Sequence, residues 1–140
     1  MGNMATRPSR FEVTSVTIGA PDPRELAGFY RRLLGWTITA TEGARPGHPP
    51  EDGWAQIRPP DGQTGPVLNF EYEAEYVRPA WPAEPGRQHI TQHLDIAVSD
   101  LDEAEAWAVG LGAQRAGFQP QDDVRVMLDL AGQPFCLCLS

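Results

Sequence analysis

The chain has 140 residues, a formal net charge of −8 and a sequence pI near 4.7. This length is typical of one domain with its own hydrophobic core, and the acidic balance argues against a nucleic-acid surface. The sequence contains neither a signal-peptide core nor an apolar run of roughly 18 residues, so we expect a cytoplasmic protein that does not bind membranes.

The first part of the chain predicts a strand followed by a capped helix. Residues 1–10 are polar and without pattern, which indicates a disordered tail. Residues 15–20 alternate between apolar and polar side chains, as a half-buried strand does. Asp22 and Pro23 then supply an N-cap and a first helical residue, and the apolar stripe that follows ends at Gly35.

Three more strands complete this first half, and they are predicted over residues 36–39, 54–58 and 67–72. Residues 42–53 are rich in proline and glycine, so we interpret them as a loop. The stretch over residues 73–91 is also rich in proline, and its length predicts a partial cover over a cavity.

The second half begins with a strand over residues 92–98. Leu94, Ile96 and Val98 point to one side of it, while His93 and Asp95 point to the other. An N-cap at Ser99-Asp100 then starts a helix that Gly112 ends. The remaining strands are predicted over residues 113–119, 124–130 and 135–139.

The two halves are related by an internal duplication. The helix starts at Asp22 and Asp100 are 78 residues apart, and the same offset places Ser15 opposite His93. The sequences Asp61-Gly62-Gln63 and Ala131-Gly132-Gln133 precede the last strand of each half. We therefore predict one domain over residues 11–140, divided into module one (about 11–73), a linker (about 74–91) and module two (about 92–140).

This pattern carries a resemblance. A duplicated βαβββ module with Asp-Leu-Asp after its strand and Gly-Gln-Pro-Phe-Cys-Leu near its end resembles the vicinal oxygen chelate superfamily. That is the fold of glyoxalase I, bleomycin-resistance proteins and extradiol dioxygenases, and the greatest similarity is to the small glyoxalase-like domain proteins of high-GC bacteria. The resemblance implies an α+β fold in which two tandem βαβββ modules form curved sheets that enclose a cavity.

Strand alternation predicts which side chains line that cavity. If Leu94, Ile96 and Val98 face the helices, then the opposite face carries the polar residues of the first and last strands of each module. The predicted ligand-binding residues are Ser15, Thr17, Asn69, Glu71, His93, Asp95, Arg125 and Cys136, with Trp54 and Arg58 at the rim.

The resemblance also implies positions for a metal. Members that hold a metal place ligands on the first and last strand of each module, and the matching residues here are Ser15, His93, Glu71 and Cys136. Serine is a poor ligand and a thiolate is too soft for iron, magnesium or manganese, so we expect no metal and no other cofactor. A zinc site from His93, Glu71 and Cys136 is the alternative.

Three functions remain open. The first is a metal-free protein of the binding or resistance type, which takes up an aromatic or cationic small molecule. The second is a lyase or isomerase that uses His93 and Glu71 as acid and base; the third is a metal-dependent glyoxalase or dioxygenase. A purely structural His93, hydrogen-bonded to Asp95, is an equal alternative. Because the last strand ends at the chain terminus and leaves an edge to protect, we also expect a homodimer.

Overall fold

The computed structural model describes residues 6–140, so half of the predicted tail, residues 1–5, lies outside the described part. Residues 6–14 contain no helix or strand. Module one consists of β1 (Ser15–Ala20), α1 (Pro23–Leu34), β2 (Thr37–Glu42), β3 (Trp54–Arg58) and β4 (Val67–Tyr72). Module two consists of β5 (Asp95–Val98), α2 (Leu101–Gly110), β6 (Gln114–Arg115), β7 (Val124–Leu128) and β8 (Pro134–Leu139).

Each module forms a four-stranded sheet with the same topology. The strand orders are β1-β4-β3-β2 and β5-β8-β7-β6, and the first strand pairs in parallel with the last one in both sheets. The predicted α+β fold of two βαβββ modules is therefore confirmed. The reason given for a dimer is wrong, however, because β8 lies inside its sheet between β5 and β7 and leaves no edge.

Both helices begin where their caps predict. The side chain of Asp22 accepts a hydrogen bond from the backbone N–H of Glu25 at 3.2 Å, and Asp100 does the same for Glu103 at 3.0 Å. Helix α1 ends at Gly35, which adopts a left-handed conformation with φ of 70° that glycine tolerates best. Neither helix in the described part of the chain has the length and apolarity needed to cross a membrane.

Three strands of module two were predicted too long: β5 begins at Asp95 instead of residue 92, β7 ends at Leu128 instead of residue 130, and β6 differs most. Residues 113–119 were expected to form a strand, but β6 has only two residues. The side-chain amide of Gln119 takes over the backbone pairing, because it accepts from the N–H of Val126 at 2.8 Å and donates to that residue's carbonyl at 2.8 Å. A side chain thus replaces the strand at this edge of β7.

Helix α1 joins the two modules into one hydrophobic core. The Tyr30 ring stacks on Phe70 of module one at 5.7 Å between centroids and meets Phe135 of module two edge-on, also at 5.7 Å. The indole N–H of Trp107 donates to the Leu33 carbonyl at 3.3 Å, although the Trp107 side chain is 55% exposed. The two modules therefore share one packed core at their junction.

Candidate functional site

The alternation predicted for β5 is confirmed. Leu94, Ile96 and Val98 pack against the core, whereas His93 and Asp95 lie on the other face and are exposed. Asp95 pairs with Cys136 on the neighbouring strand β8. The His93 Nε2 and Asp95 Oδ1 atoms are 3.1 Å apart, so the proposed histidine–carboxylate contact is present.

In module one the predicted residues also share a sheet face. A chain of side-chain hydrogen bonds crosses the four strands: Thr39 donates to Gln56 at 2.9 Å, Gln56 donates to Asn69 at 2.9 Å, and Asn69 donates to Thr17 at 3.4 Å. We call these four residues the polar ladder. Since each member donates to the next, the hydroxyl hydrogen of Thr17 is left to point elsewhere.

The other predicted residues of module one lie around this ladder. Trp54 is paired with Glu71 across β3 and β4, and Arg58 continues the same face two residues after Gln56. Ser15 begins β1, two residues before Thr17. Glu71 and Arg58 are exposed, so none of these groups is forced into a contact by burial.

The prediction that Arg125 faces the cavity is wrong. In β7 it is Val126 that pairs with Cys136, so Arg125 lies on the opposite face, toward α2. There its guanidinium donates to Glu105 at 2.9 Å and to Asp102 at 3.4 Å. Arg125 therefore ties β7 to its own helix and takes no part in the site.

A cavity of about 480 Å³ lies where β1, the linker and the segment before β5 come together. Of the predicted residues, Thr17 and His93 line it. The remaining predicted residues are not part of its wall; these are Ser15, Trp54, Arg58, Asn69, Glu71, Asp95, Arg125 and Cys136. The segment 73–91 supplies a large part of the lining, as a partial cover would.

Asp129, which the sequence did not single out, contributes to the cavity wall and is only 5% exposed. Its Oδ2 accepts a hydrogen bond from the Tyr30 hydroxyl at 2.7 Å. Its Oδ1 accepts from the backbone N–H groups of Ala131 at 2.9 Å and Gln133 at 3.0 Å. The carboxylate is thus held by α1 and by its own turn.

The tyrosines beside this carboxylate remain neutral donors. Burial, and then the charge of Asp129, raises the pKa of Tyr30 well above its usual value. Burial raises the pKa of Tyr76 to about 12, and its hydroxyl donates to the Ala131 carbonyl at 2.9 Å. Burial also raises the pKa of Asp129, against the opposing effect of its hydrogen bonds.

The cavity lining is acidic. Three carboxylates contribute to it, those of Glu73, Glu75 and Asp129, together with the side chains of His89 and His93. No arginine of the described chain lines this cavity, and the whole sequence contains no lysine. The charge of the lining is therefore negative, although Arg78 outside the cavity lies close enough to lower the pKa of Asp129.

The residues present do not reproduce a metal site shared by the two modules. Within the described residues, one cluster of metal-type ligands comes together: His93, Asp95 and Cys136, whose ligand atoms lie within 4.8 Å of one another. All three belong to module two, whereas Ser15 and Glu71 stay apart from them. Burial, and then the charge of Asp95, raises the pKa of the Cys136 thiol to about 11, so the free thiol keeps its proton at neutral pH and a metal would have to displace it.

The missed residues left weak signals in the sequence. Asp129 starts a five-residue turn that contains Gly132, a pattern that favours a carboxylate accepting backbone N–H groups. Tyr30 belongs to the apolar stripe of α1 and cannot be distinguished there from a core aromatic residue. Their proximity depends on how the modules dock, which no local pattern records.

Residues 15–138 match the family model of the glyoxalase-like domain. No curated protein matches the sequence. Among solved structures, a glyoxalase family protein from Enterococcus faecalis aligns with a TM-score of 0.62 and 20% identity, over 91% of this chain and 96% of that one.

Two other solved structures are similar over nearly their whole length. A mutant of the fosfomycin resistance protein FosX from Listeria monocytogenes, complexed with Mn(II) and a dihydroxypropylphosphonic acid, has a TM-score of 0.67 and 10% identity, over 94% of each chain. A glyoxylase/bleomycin resistance protein/dioxygenase domain from Frankia has a TM-score of 0.60 and 17% identity, over 94% of this chain and 99% of that one. At these identities the likeness concerns the fold.

Proposed function

The chain belongs to the glyoxalase-like domain family, and from that premise we propose that it is a small-molecule binding protein of the resistance type. Its ligand is a cationic organic compound, with or without an aromatic ring, held in the cavity between the modules. The family fold hosts many chemistries, so this proposal rests on the cavity of this chain.

The charge of the cavity lining carries the proposal. Three acidic residues line a cavity that no arginine of the described residues lines, and one of them, Asp129, is nearly fully buried. A buried carboxylate without a cation is costly, and a ligand that supplies the positive charge offsets that cost. The volume of about 480 Å³ lies within the range of ordinary ligand pockets.

The proposal is tested with sets of compounds that share a hydrocarbon part and carry a cationic, a neutral or an anionic head group. Calorimetric titration with phenethylamine, 2-phenylethanol and 3-phenylpropanoate, and with matching aliphatic sets, should give the tightest binding for the amine in at least one set, by about tenfold or more. Glu73→Gln combined with Glu75→Gln should weaken that binding, whereas Glu51→Gln, outside the cavity, should not. Equal binding of amine, alcohol and carboxylate in every set would contradict the proposal.

A second candidate function, a lyase or isomerase, is favoured by the contact between His93 and Asp95. A carboxylate 3.1 Å from the imidazole can orient the ring so that its other nitrogen accepts a proton from a substrate. Asp95 here would orient His93, whereas the sequence assigned to Glu71 the part of a second acid or base. In D2O, exchange at the carbon next to a substrate carbonyl should then require His93 and survive His89→Gln and Glu71→Gln.

We further propose that the purified protein carries no stoichiometric transition metal, since the family-type ligand positions of the two modules do not converge. Elemental analysis should give well under one metal ion per chain. About one zinc per chain, lost on His93→Ala, would show that the cluster in module two binds metal after all.

We also propose a homodimer, on grounds other than β8. The strands at the sheet edges are β1, β2, β5 and β6, and on β2 the side chain of Ile38 is exposed. Edge strands favour pairing between chains. Light scattering at micromolar concentration should give twice the chain mass of 15.4 kDa, and a monomer mass would count against the proposal.

A further inference from the structure

We infer that Asp129 is the anchor of the ligand and that it selects ammonium groups carrying at least one N–H, that is, primary, secondary or tertiary amines in their protonated form and not quaternary ammonium. This inference rests on the proposed function and makes the ligand class narrower. It follows from how the carboxylate is buried and how its acceptor positions are used.

Asp129 is buried without a cation next to its carboxylate. It is 5% exposed, and among residues 6–140 no arginine or histidine nitrogen lies within 4.0 Å of its oxygens. The chain therefore provides hydrogen bonds to this charge but no neutralising partner. Asp129 is also one of the residues that line the cavity.

Most of the acceptor positions of the Asp129 carboxylate are already used. A carboxylate offers about four lone-pair sites. Oδ1 uses two of them for the N–H groups of Ala131 and Gln133, and Oδ2 uses one for the Tyr30 hydroxyl. One site remains on Oδ2, which suits a single directional N–H donor. A quaternary ammonium has no N–H, and its methyl groups keep its charge away from so small an exposed area.

The other charged and titratable groups around Asp129 leave its negative charge without a close cation. Tyr30 on α1 and Tyr76 on the linker are neutral, and Glu73 and Glu75 add negative charge to the same cavity. Of the positive or titratable groups, His89 and His93 line the cavity, while the guanidinium of Arg78 lies over Gly132, where a Cβ would overlap it.

Arg78 does not occupy the place of the ligand. Its charge lowers the pKa of Asp129, but this is the smallest of the influences on that group. The side chain lines a separate depression of about 270 Å³, together with Arg87 and Trp81. The cavity side of Asp129 is therefore left for an incoming N–H donor.

The decisive measurement is a methylation series on the unmodified protein. Phenethylamine and its N-methyl, N,N-dimethyl and N,N,N-trimethyl derivatives are titrated at one pH, with 2-phenylethanol as the neutral reference. The three compounds that keep an N–H should bind with similar affinity. The last methylation should weaken binding by about tenfold or more, which corresponds to about 1.4 kcal/mol.

Variants identify the residue responsible. Asp129→Asn should remove the step between the dimethyl and trimethyl compounds, because the amide places its NH2 toward Tyr30 and presents no charge. Tyr30→Phe is the matched control: it removes the neighbouring hydroxyl, keeps the carboxylate and should preserve the step. Glu73→Gln should weaken the binding of all four ammonium compounds equally, since it removes one negative charge from the cavity lining and leaves Asp129 unchanged.

The outcomes separate the two proposals. If the quaternary compound binds as tightly as the tertiary one and both bind better than the alcohol, the cavity binds cations but the role of Asp129 is overturned. If no ammonium compound binds better than the alcohol, both are overturned for this class of ligand. The series uses the unmodified chain, so it decides the question even if Asp129→Asn fails to fold.

Discussion

Two aspartates of this protein are buried to nearly the same extent and have opposite chemistry. Asp52 is 1% exposed and Asp129 is 5% exposed. Arg45 donates three hydrogen bonds to Asp52, two from its guanidinium at 2.8 and 2.9 Å and one from its backbone at 2.9 Å. These contacts hold the pKa of Asp52 well below its usual range, whereas burial raises the pKa of Asp129.

The pKa shifts of the two aspartates differ because their partners differ, and not because their burial differs. Asp52 sits in the loop between β2 and β3, and its arginine satisfies its charge within that loop. Asp129 receives only neutral donors and belongs to the cavity lining. A buried carboxylate that is paired with a cation stabilises the local fold. A buried carboxylate that lies beside a cavity and has no cation is a candidate for ligand binding.

The largest effect expected on stability comes from Asp52. Asp52→Asn removes the charge that Arg45 binds and should lower the melting temperature by about 3 °C or more, with ligand binding unchanged. Asp129→Asn should leave the melting temperature within about 2 °C, because the amide keeps both backbone contacts and can donate to Tyr30. Differential scanning calorimetry of both variants checks this, and a larger loss from Asp129→Asn would reverse the comparison.

The two carboxylates should also give opposite slopes of stability with pH. The contribution of Asp52 is complete above the ordinary pKa of 3.8 and is lost as the pH falls through its lower folded value. The contribution of Asp129 is complete below 3.8 and is lost as the pH rises through its higher folded value.

Urea denaturation between about pH 2.5 and 6.5 measures this slope. Relative to the unmodified chain, Asp52→Asn should flatten the acid loss of the free energy of unfolding below pH 3.8. Asp129→Asn should instead flatten the decline above pH 3.8. If both variants change the pH dependence of the free energy of unfolding in the same direction, the opposite pKa shifts assigned to Asp52 and Asp129 are refuted.

His93 should be functional and not structural. Its side chain is 40% exposed and lines the cavity, so His93→Ala should leave the melting temperature within a few degrees. Ligand binding or turnover should fall by about tenfold, the size of one good polar contact. His89→Ala, at another histidine of the same lining, is the control for a general loss of cavity wall, and an unfolded His93→Ala would contradict the prediction.

The order of the elements and both helix starts could be predicted from local signals, whereas the ends of β5, β6 and β7 could not. The caps at Asp22 and Asp100 set both helix starts, and Gly35 set the end of α1. Alternation in β5 placed His93 correctly because one face of that strand is apolar and the other is exposed. The duplication then extended this result to module one.

Alternation failed in β7 because both of its faces are covered. Met127 is fully buried in the core, while Leu128 on the other face lies beside linker residues such as Trp81. With apolar residues on both sides, hydrophobicity does not say which side holds the helix, and Arg125 was assigned to the wrong one. The position of Asp129 beside Tyr30 is likewise a matter of how the modules dock.

The smallest effect that we predict concerns Thr17, the last member of the polar ladder. Asn69 donates to its oxygen at 3.4 Å, which leaves the hydroxyl hydrogen for a ligand in the cavity that Thr17 lines. An exposed hydrogen bond of this kind contributes about 0.5–1 kcal/mol, so Thr17→Val should weaken the binding of a ligand that carries an acceptor oxygen by roughly two- to fivefold. Thr41→Val, which removes a hydroxyl that donates to the Trp54 carbonyl outside the ladder, should have no effect.

Calorimetric titration with an amino alcohol and the corresponding alkylamine tests this, because only the amino alcohol should respond to Thr17→Val. If both compounds lose the same affinity, the valine has changed the shape of the cavity, and the ladder does not direct a hydrogen bond to the ligand.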